Sequence, residues 1–301
     1  MNKSILVVGS VAFDDIETPV GKRFNALGGS AVYFSLAASR FSQVNLVGVA
    51  GEDYPQAAIN LLNRQGIDTT GLEIARGATF RWGGRYHQDL NNRDTLYTHL
   101  NVFANFSPKI PAVYQKTSVV FLGNIQPTLQ MEVLNQLPQP EFIGLDTMNL
   151  WINTTRAELM EIIPRVNLLV INDSELAELT GSVNLFKGLK YLHKLGVRYI
   201  VIKRGEYGSI LSAAEGLFFT PAYPVEEVVD PTGAGDSFAG GLFGYLGTCE
   251  KIDFITLKKA VVYGSVMGSF CVENFSIDGL LNLNPSRIAK RYRELRRLVK
   301  A

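Results

Sequence analysis

The sequence predicts a three-layer α/β/α sandwich with a mostly parallel central sheet and a small β-sheet lid. Three observations lead there. Short apolar runs alternate with helical segments along most of the 301 residues. That is the pattern of strands buried on both faces and covered by helices. A polar residue follows many of those runs, namely Asp14, Gln126, Asp146, Asn172, Lys203 and Asp230. One segment, 79–103, breaks the rhythm and has no helical period.

The elements follow in order. "SILVVGS" (4–10) is an apolar run ended by Gly and reads as a strand. "SAVYFSLAASRF" (30–41) follows Gly28-Gly29 and reads as a helix with Ser30 near its cap. A strand at 45–51 and a helix at 54–66, stopped by Gly66, come next. Strands at 118–123, 141–146, 167–172 and 198–203 are separated by helices at 128–137, 155–163, 173–180 and 184–195. Val228-Val229 reads as a strand-like run before "DPTGAGD" (230–236), and a helix is expected to begin at Asp236.

Within 79–103, Phe80, Trp82 and Tyr86 alternate with Thr79, Arg81 and Arg85, a strand with two unlike faces. "DLNNRD" (89–94) is turn chemistry. Two or more antiparallel strands are expected to project here, with 15–24 adding another pair. So small a sheet is not stable alone and must cover a ligand, a partner subunit or both. The lid is placed at about 13–26 and 76–106 of a single domain spanning 1–301. Its arginine row is expected to face inward, because an inward Trp82 with both cations outward would leave Asp14 poorly balanced.

Composition narrows the function classes. A net charge of +1 gives no electrostatic case for a nucleic-acid or membrane partner. The basic run "RIAKRYRELRRLVK" (287–300) reads as the solvated face of a last helix. Two cysteines and three histidines suggest neither a disulfide framework nor a zinc site. No apolar run approaches the roughly 18 residues of a membrane span. The run 5–13 contains Gly9, stops at Asp14-Asp15 and lacks a cleavage-site pattern, so a cytoplasmic protein is expected.

The chemistry concentrates in "VVDPTGAGDSFAGGLF" (228–243). No Lys-Ser/Thr follows Gly235, so this is not a Walker A loop, and it is not G-x-G-x-x-G. Gly233 and Gly235 let a backbone approach a ligand closely. The N–H groups of a helix start can hold developing negative charge. A carboxylate there repels a phosphate unless it takes the proton of an attacking alcohol. The plainer alternative is an N-capping Asp236. "NDSELAELTG" (172–181) likewise reads as a capping box of Asn172 and Glu175. K-x-G-x-x-G at 203–208 is by itself a turn signal. Asp14, ending a buried run, can accept two hydrogen bonds from a diol.

These stretches together resemble the ribokinase-like (PfkB) family of carbohydrate and nucleoside kinases. "DPTGAGDSFAGG" resembles its C-terminal signature, "NDSE" (172–175) its N-x-x-E motif, and "VIKRGEYGS" (201–209) its nucleotide loop. "VGSVAFDD" (8–15), "LGGSA" (27–31) and "VGVAGEDY" (47–54) match its N-terminal half in order and spacing, so the resemblance spans the chain. It implies ATP-dependent phosphorylation of a primary alcohol on a sugar, with a nucleoside as the alternative acceptor. A degenerate kinase acting as a ligand-binding regulator is the rival from another class. Asp236 would be the base, and Gly233, Ala234 and Gly235 the anion hole. Glu175 would position Mg²⁺, largely through water, and Asn172 would support the phosphate end. Lys203, Gly205 and Gly208 fall in the ATP site. Asp14 would hold sugar hydroxyls, with Gly28 and Gly29 admitting the sugar and Gln126 and Asn149 as further contacts. A homodimer through the lid is the expected assembly. Two departures stand out. Tyr33 replaces an Asn that touches the sugar, and "FCVENFSIDG" (270–279) lacks the pattern of a well-formed monovalent-cation site.

Overall fold

The computed structural model describes residues 3–299. Its strands are β1 (Ile5–Val8), β2 (Ala12–Thr18), β3 (Gly21–Gly28), β4 (Val44–Gly51), β5 (Ile67–Ala75), β6 (Phe80–Tyr86), β7 (Arg93–His99), β8 (Val119–Leu122), β9 (Phe142–Asp146), β10 (Leu168–Asn172), β11 (Tyr199–Lys203), β12 (Ser209–Ala213) and β13 (Gly216–Thr220). A nine-stranded sheet runs β13-β12-β11-β10-β9-β8-β1-β4-β5. All its pairings are parallel except β11–β12 and β12–β13. β1 lies between β4 and β8, so the chain leaves it in both directions, and the ligand crevice of an open α/β sheet opens at such a point.

Alternation along each strand builds the three layers. Ile5, Val7, Leu46, Phe121, Val170 and Val201 join one apolar cluster, whereas Leu6, Val8, Val47, Leu122, Ile171 and Ile202 join the other. The first cluster is covered by helices α1 (Ser30–Ala38), α2 (Gln56–Arg64), α8 (Ala234–Gly247), α9 (Phe254–Cys271), α10 (Asp278–Leu281) and α11 (Pro285–Val299). The second is covered by α3 (Pro127–Gln136), α4 (Asn149–Thr154), α5 (Arg156–Ile162), α6 (Asp173–Thr180) and α7 (Leu185–Lys194). Each fully buried Leu, Ile or Phe stabilises the fold by about 1.5–3 kcal/mol. α8 presses close to α1, since a side chain at Gly240 would overlap the carbonyl of Phe34. This contact fixes where the N-terminus of α8 meets the sheet.

Three sequence expectations need correction. Val228-Val229 is not a strand. Val229 and Asp230 donate their N–H groups to Val272 O (2.7 and 3.2 Å), beyond the end of α9, so this backbone is satisfied outside any sheet. Strands β5, β12 and β13 were not foreseen; β5 and β13 form the two edges, where an apolar run is not required, and β12 lies just inside β13. Residues 101–106 do not join the lid, because Phe103 and Phe106 are buried in the second apolar cluster.

The lid is a sheet of order β3-β2-β6-β7. β2–β3 and β6–β7 are antiparallel, but the central pair β2–β6 is parallel. Cys249 and Cys271 are free thiols. Among the described residues no helix is long and apolar enough to cross a membrane.

Candidate active site

The site lies at the carboxyl edge of the large sheet, and α8 supplies its centre. Asp230 is fully buried and accepts hydrogen bonds from the N–H groups of Thr232 and Ser276, both at 2.8 Å. It pins the loop that delivers Gly233. Gly233 is the N-cap of α8 with φ of 73°, a left-handed conformation that favours glycine. A side chain there would also overlap the ring of Tyr33. Ala234 N–H turns back to Pro231 O (3.1 Å). Among the described residues the N–H groups of Gly233, Gly235 and Asp236 have no partner. Three free donors therefore sit at the positive end of a helix, with the Asp236 carboxylate in the same turn.

That carboxylate is half-buried and accepts no hydrogen bond among the described residues. Burial, reinforced by the charge of Asp146, pushes its pKa up to about 7, against the pull of Lys203 and Arg93. Asp14 is similar. It is buried, accepts no hydrogen bond, and is pushed up to about 8 by burial and then by Asp230, Asp236 and Asp15. Gly28 lies against it, and a side chain there would overlap its carboxyl group. Gly29 adds the N-terminus of α1 beside it.

The strand ends β9, β10 and β11 hold the other half of the site. Lys203 Nζ is 3.1 Å from Asp146 Oδ2. Burial opposes the lysine charge, but Asp146, Glu175 and Asp236 outweigh it and raise its pKa. A side chain at Gly235 would come within 3.2 Å of Nζ, so the glycine keeps the ammonium at the helix start. Asn172 and Glu175 form a complete capping box at the start of α6. Asn172 Oδ1 accepts from Glu175 N (2.7 Å), and Glu175 Oε2 accepts from Asn172 N (2.8 Å). Burial raises the pKa of Glu175, and Lys203 opposes that. Glu175 is thus a capping residue that also shares an electrostatic cluster with Lys203, Asp146 and Asp236. Gly205 and Gly208 follow Lys203 in a tight turn, where Gly208 abuts the Thr220 carbonyl. Gly205 faces Asn91 at the lid tip, at 3.3 Å from the position of a side chain.

The structure also places three further residues singled out in the sequence. Tyr33 is buried beneath Gly233, so it fills the core under the helix start. Gln126 is a half-buried N-cap residue of α3 whose side chain makes no hydrogen bond among the described residues. Asn149 is exposed, and its side chain accepts from Leu150 N (3.0 Å). Glu273, in the stretch where a monovalent-cation site was in question, is bound by both oxygens to Arg291 at 3.0 and 3.2 Å.

The lid turns the other way from the sequence expectation. Tyr86 Oη meets Thr232 Oγ1 at 3.2 Å, so the face carrying Trp82 and Tyr86 looks down at the anion-hole loop, while Phe80 packs against Phe103 in the second apolar cluster. Trp82 packs with Ile16, Ala26 and Tyr86. Gly84 leaves room for its indole on that face, and Gly83 leaves room for Tyr97 on the other. Arg81 points outward to Asn25 Oδ1 (2.6 Å), Asp53 (3.6 Å) and the ring of Phe13, while Arg85 pairs with Glu17 at 2.8 Å. Both arginines find their partners on the outside, in Glu17 and Asp53, and this satisfies them without Asp14.

Comparison with known proteins decides what such a site belongs to. The sequence profile of the pfkB family carbohydrate kinases matches residues 2–279. The chain belongs to that family. It is 32% identical to a cytidine kinase of Thermococcus kodakarensis over 253 residues, which is 80% of this chain and 88% of the relative. Two solved structures show the same fold. A nucleoside kinase of Burkholderia thailandensis, solved with inosine, superposes with a TM-score of 0.79 at 19% identity, covering 96% of this chain and 97% of that one. A ribokinase II-type protein of E. coli, solved with ATP and Mg²⁺, superposes with a TM-score of 0.80 at 17% identity, covering 97% and 99%. The chain is therefore a kinase of the carbohydrate and nucleoside class. One residue escaped the sequence reading of the site, and one candidate was read without its partner. Asp146 was visible only as the polar end of a strand, and its pairing with Lys203 needs the β9–β10–β11 order. Arg93 lay in a segment read as turn chemistry.

Proposed function

We propose that this kinase phosphorylates the hydroxymethyl group of a nucleoside, with Asp236 as general base. The observation that carries this is the pairing of Asp14 with Trp82 across the parallel β2–β6 ladder. Paired residues project to the same face. A carboxylate for ribose hydroxyls and an indole for a nucleobase thus hang side by side over the cleft. An aromatic lid favours a flat base more than a free sugar, because a free sugar leaves the indole without a stacking partner. The cytidine kinase relative and the inosine-bound structure agree with this reading.

The residues present fit Mg·ATP. A phosphate chain needs free N–H donors and a cation, which Gly233, Gly235 and Lys203 offer. Among the described residues no cluster of three or more metal-ligating side chains exists. Mg²⁺ suits such a site, since it commonly uses one or two carboxylates together with phosphate oxygens and water. Glu175 is the carboxylate in place for it. When bound, Mg·ATP supplies the γ-phosphoryl group with its charge partly neutralised. Asp14 orients the acceptor by its hydroxyls. Asp236 takes the proton of the hydroxymethyl group as that oxygen bonds to phosphorus and the bond from phosphorus to the β-phosphate oxygen breaks. The N–H groups of Gly233 and Gly235 receive the growing negative charge. Lid closure excludes water, the competing acceptor.

A coupled ADP-release assay tests the reading with cytidine, adenosine, inosine and aminoimidazole riboside beside ribose and fructose, with and without K⁺. The expected kcat/KM for the best nucleoside exceeds that for any free sugar by roughly tenfold or more, the scale of one stacking contact. A free sugar as best substrate overturns the acceptor assignment. ADP release unaffected by any acceptor supports the ligand-binding rival.

A further inference from the structure

The loop that delivers Gly233 belongs to no sheet, so its place is set by what it hangs from. It hangs from residues 271–276, which join α9 to α10. Val272 O accepts from the N–H groups of Val229 and Asp230 at 2.7 and 3.2 Å. Ser276 N donates to Asp230 Oδ2 at 2.8 Å, and Cys271 Sγ donates to Thr232 O at 3.4 Å. Ser276 Oγ reaches the other way, to Leu27 O at 2.6 Å. Leu27 is also held in the β2–β3 ladder, so the acceptor side has a support of its own. Ser276 has φ of 55°, a left-handed conformation that a serine keeps only where its surroundings impose it.

Glu273 is the charged residue of this segment. One guanidinium nitrogen of Arg291, on α11, donates to both its oxygens at 3.0 and 3.2 Å, and another donates to Ser269 Oγ at 3.0 Å. The guanidinium lies between two rings, 3.8 Å from the centroid of Phe270 and 4.3 Å from that of Tyr223. Tyr223 belongs to the run that leads from β13 into the anion-hole loop, and its Oη donates to Glu294 of α11 at 2.8 Å. Arg291 thus grips the run that enters the loop and the segment that carries it. A planar cation held by two rings and three acceptor atoms has little freedom to shift. The residues matched by the family profile end at 279, so α11 lies outside them.

We infer that Arg291 is a positioning residue for phosphoryl transfer: through Glu273 it fixes residues 271–276, and with them the place of the Gly233 and Gly235 N–H groups. This rests on the anion-hole reading above. Donors aimed at developing charge act only where their placement matches the transition state, and a small displacement is costly. Asp14, Trp82 and Lys203 bind the substrates from other elements, so ground-state binding does not depend on the clamp.

The test compares wild type with Arg291→Met, Arg291→Lys, Glu273→Gln and the double variant of Arg291→Met with Glu273→Gln. Arg287→Ala is the control, because Arg287 lies over the same Phe270 ring at 5.4 Å with no ion pair among the described residues. Assays run well below the melting temperature of each variant. With the best acceptor of the panel, Arg291→Met lowers kcat by about 10–100-fold, while KM for acceptor and ATP changes by less than roughly threefold. Arg291→Lys recovers part of the loss. Glu273→Gln gives a smaller loss of the same kind, and the double variant loses no more than Arg291→Met, because the two residues act through one link. Arg287→Ala stays within about twofold of wild type. A second readout needs no turnover. Calorimetry of Mg²⁺ and ADP, with and without tetrafluoroaluminate as the stand-in for the transferring group, shows Arg291→Met losing roughly tenfold of the tightening and none of the affinity for ADP alone. Amide exchange at 229–232 quickens in the same variant. Should Arg291→Met fail to fold, Glu273→Gln carries the same comparisons. A kcat within about threefold of wild type, losses that add in the double variant, or unchanged exchange at 229–232 overturns the assignment. A wild type that phosphorylates nothing in the panel and gains nothing from tetrafluoroaluminate refutes the anion-hole reading, while exchange at 229–232 still decides whether Arg291 positions that loop.

Discussion

On the floor of the cleft Asp14 and Asp236 accept no hydrogen bond among the described residues, and burial raises the pKa of both. On the outer side of the lid Glu17 accepts from Arg85 and lies 3.1 Å from Lys22, which lowers its pKa. Asp53 likewise accepts from Thr79 N and Oγ1 and faces Arg81. These two pairs of acids are in opposite states. Where the lid needs only shape and position, each carboxylate is matched with a cation or N–H donor. Where chemistry is done, Asp14 and Asp236 are left unmatched, and this costs stability that surrounding packing offsets. An unmatched carboxylate beside a helix start is one prepared to receive a proton or a hydroxyl.

The sharpest way to break this comparison is Asp236→Asn. Asn keeps the shape but cannot take the proton, so kcat falls by roughly 10²–10⁴-fold. In wild type the carboxylate must be ionised to act. With a pKa pushed up to about 7, kcat/KM declines about tenfold per pH unit below that value and levels off above it. A flat profile between pH 5 and 8, or near-normal turnover in the mutant, removes Asp236 as the base.

Glu175 belongs to both regimes, as a matched cap and a member of the floor. Glu175→Gln keeps an oxygen for Asn172 N–H but loses the charge. The Mg²⁺ concentration for half-maximal rate rises by roughly tenfold, the scale of one charged contact, with the melting temperature nearly unchanged. Glu175→Ala also loses about 1 kcal/mol of capping stability. A lower melting temperature in both variants with normal Mg²⁺ dependence leaves Glu175 as a cap alone.

The two lid faces separate by a smaller margin. Trp82→Ala lowers kcat/KM for the best nucleoside by about ten- to thirtyfold, the loss of one stacked ring. Its effect on a free sugar is slight. Arg81→Ala weakens the outer latch and affects both acceptors by less than about threefold, as an exposed pair contributes little. Equal losses for Arg81→Ala and Trp82→Ala contradict the inward aromatic face. Smallest is Tyr33→Phe. The Tyr33 hydroxyl is buried with no hydrogen-bond partner among the described residues. Its removal leaves turnover within about twofold and keeps or raises the melting temperature, because an unsatisfied buried group is lost. A large loss of activity would show that the hydroxyl touches the acceptor.

The floor was legible in the sequence because local rules place it. Strand ends put Asn172 and Lys203 at one edge, and Gly233 with Asp236 marks a helix start whatever packs around it. Helix α6 was read with the bounds 173–180 that the structure shows for the same reason, since its capping box is contained within four residues. The lid was legible only as a two-faced strand. Which face points down depends on β2 pairing with β6, a contact between distant segments that period and composition do not encode. The expected inward arginines followed from the need to balance Asp14. The structure leaves much of that imbalance in place, with the carboxyl pushed up to about 8, and brings Arg93 from the next strand instead. The pairing of Asp146 stayed obscure because its partner, Lys203, is two strands away in the sheet.

The parallel β2–β6 ladder also sets an order of assembly. Ala12 pairs with Phe80 and Glu17 with Arg85, while β4, α2 and β5 lie between them in the chain. Neither hairpin can find the other until β1, β4 and β5 have joined and carried Thr79 to its bonds with Asp53 and Gly51. Closing so long a loop before its contacts form is slow. The lid is thus the last part of this region to become native and the first to open. Amide exchange in β6 and β7 should run ahead of exchange in β1 and β8, and a bound nucleoside should slow it there most.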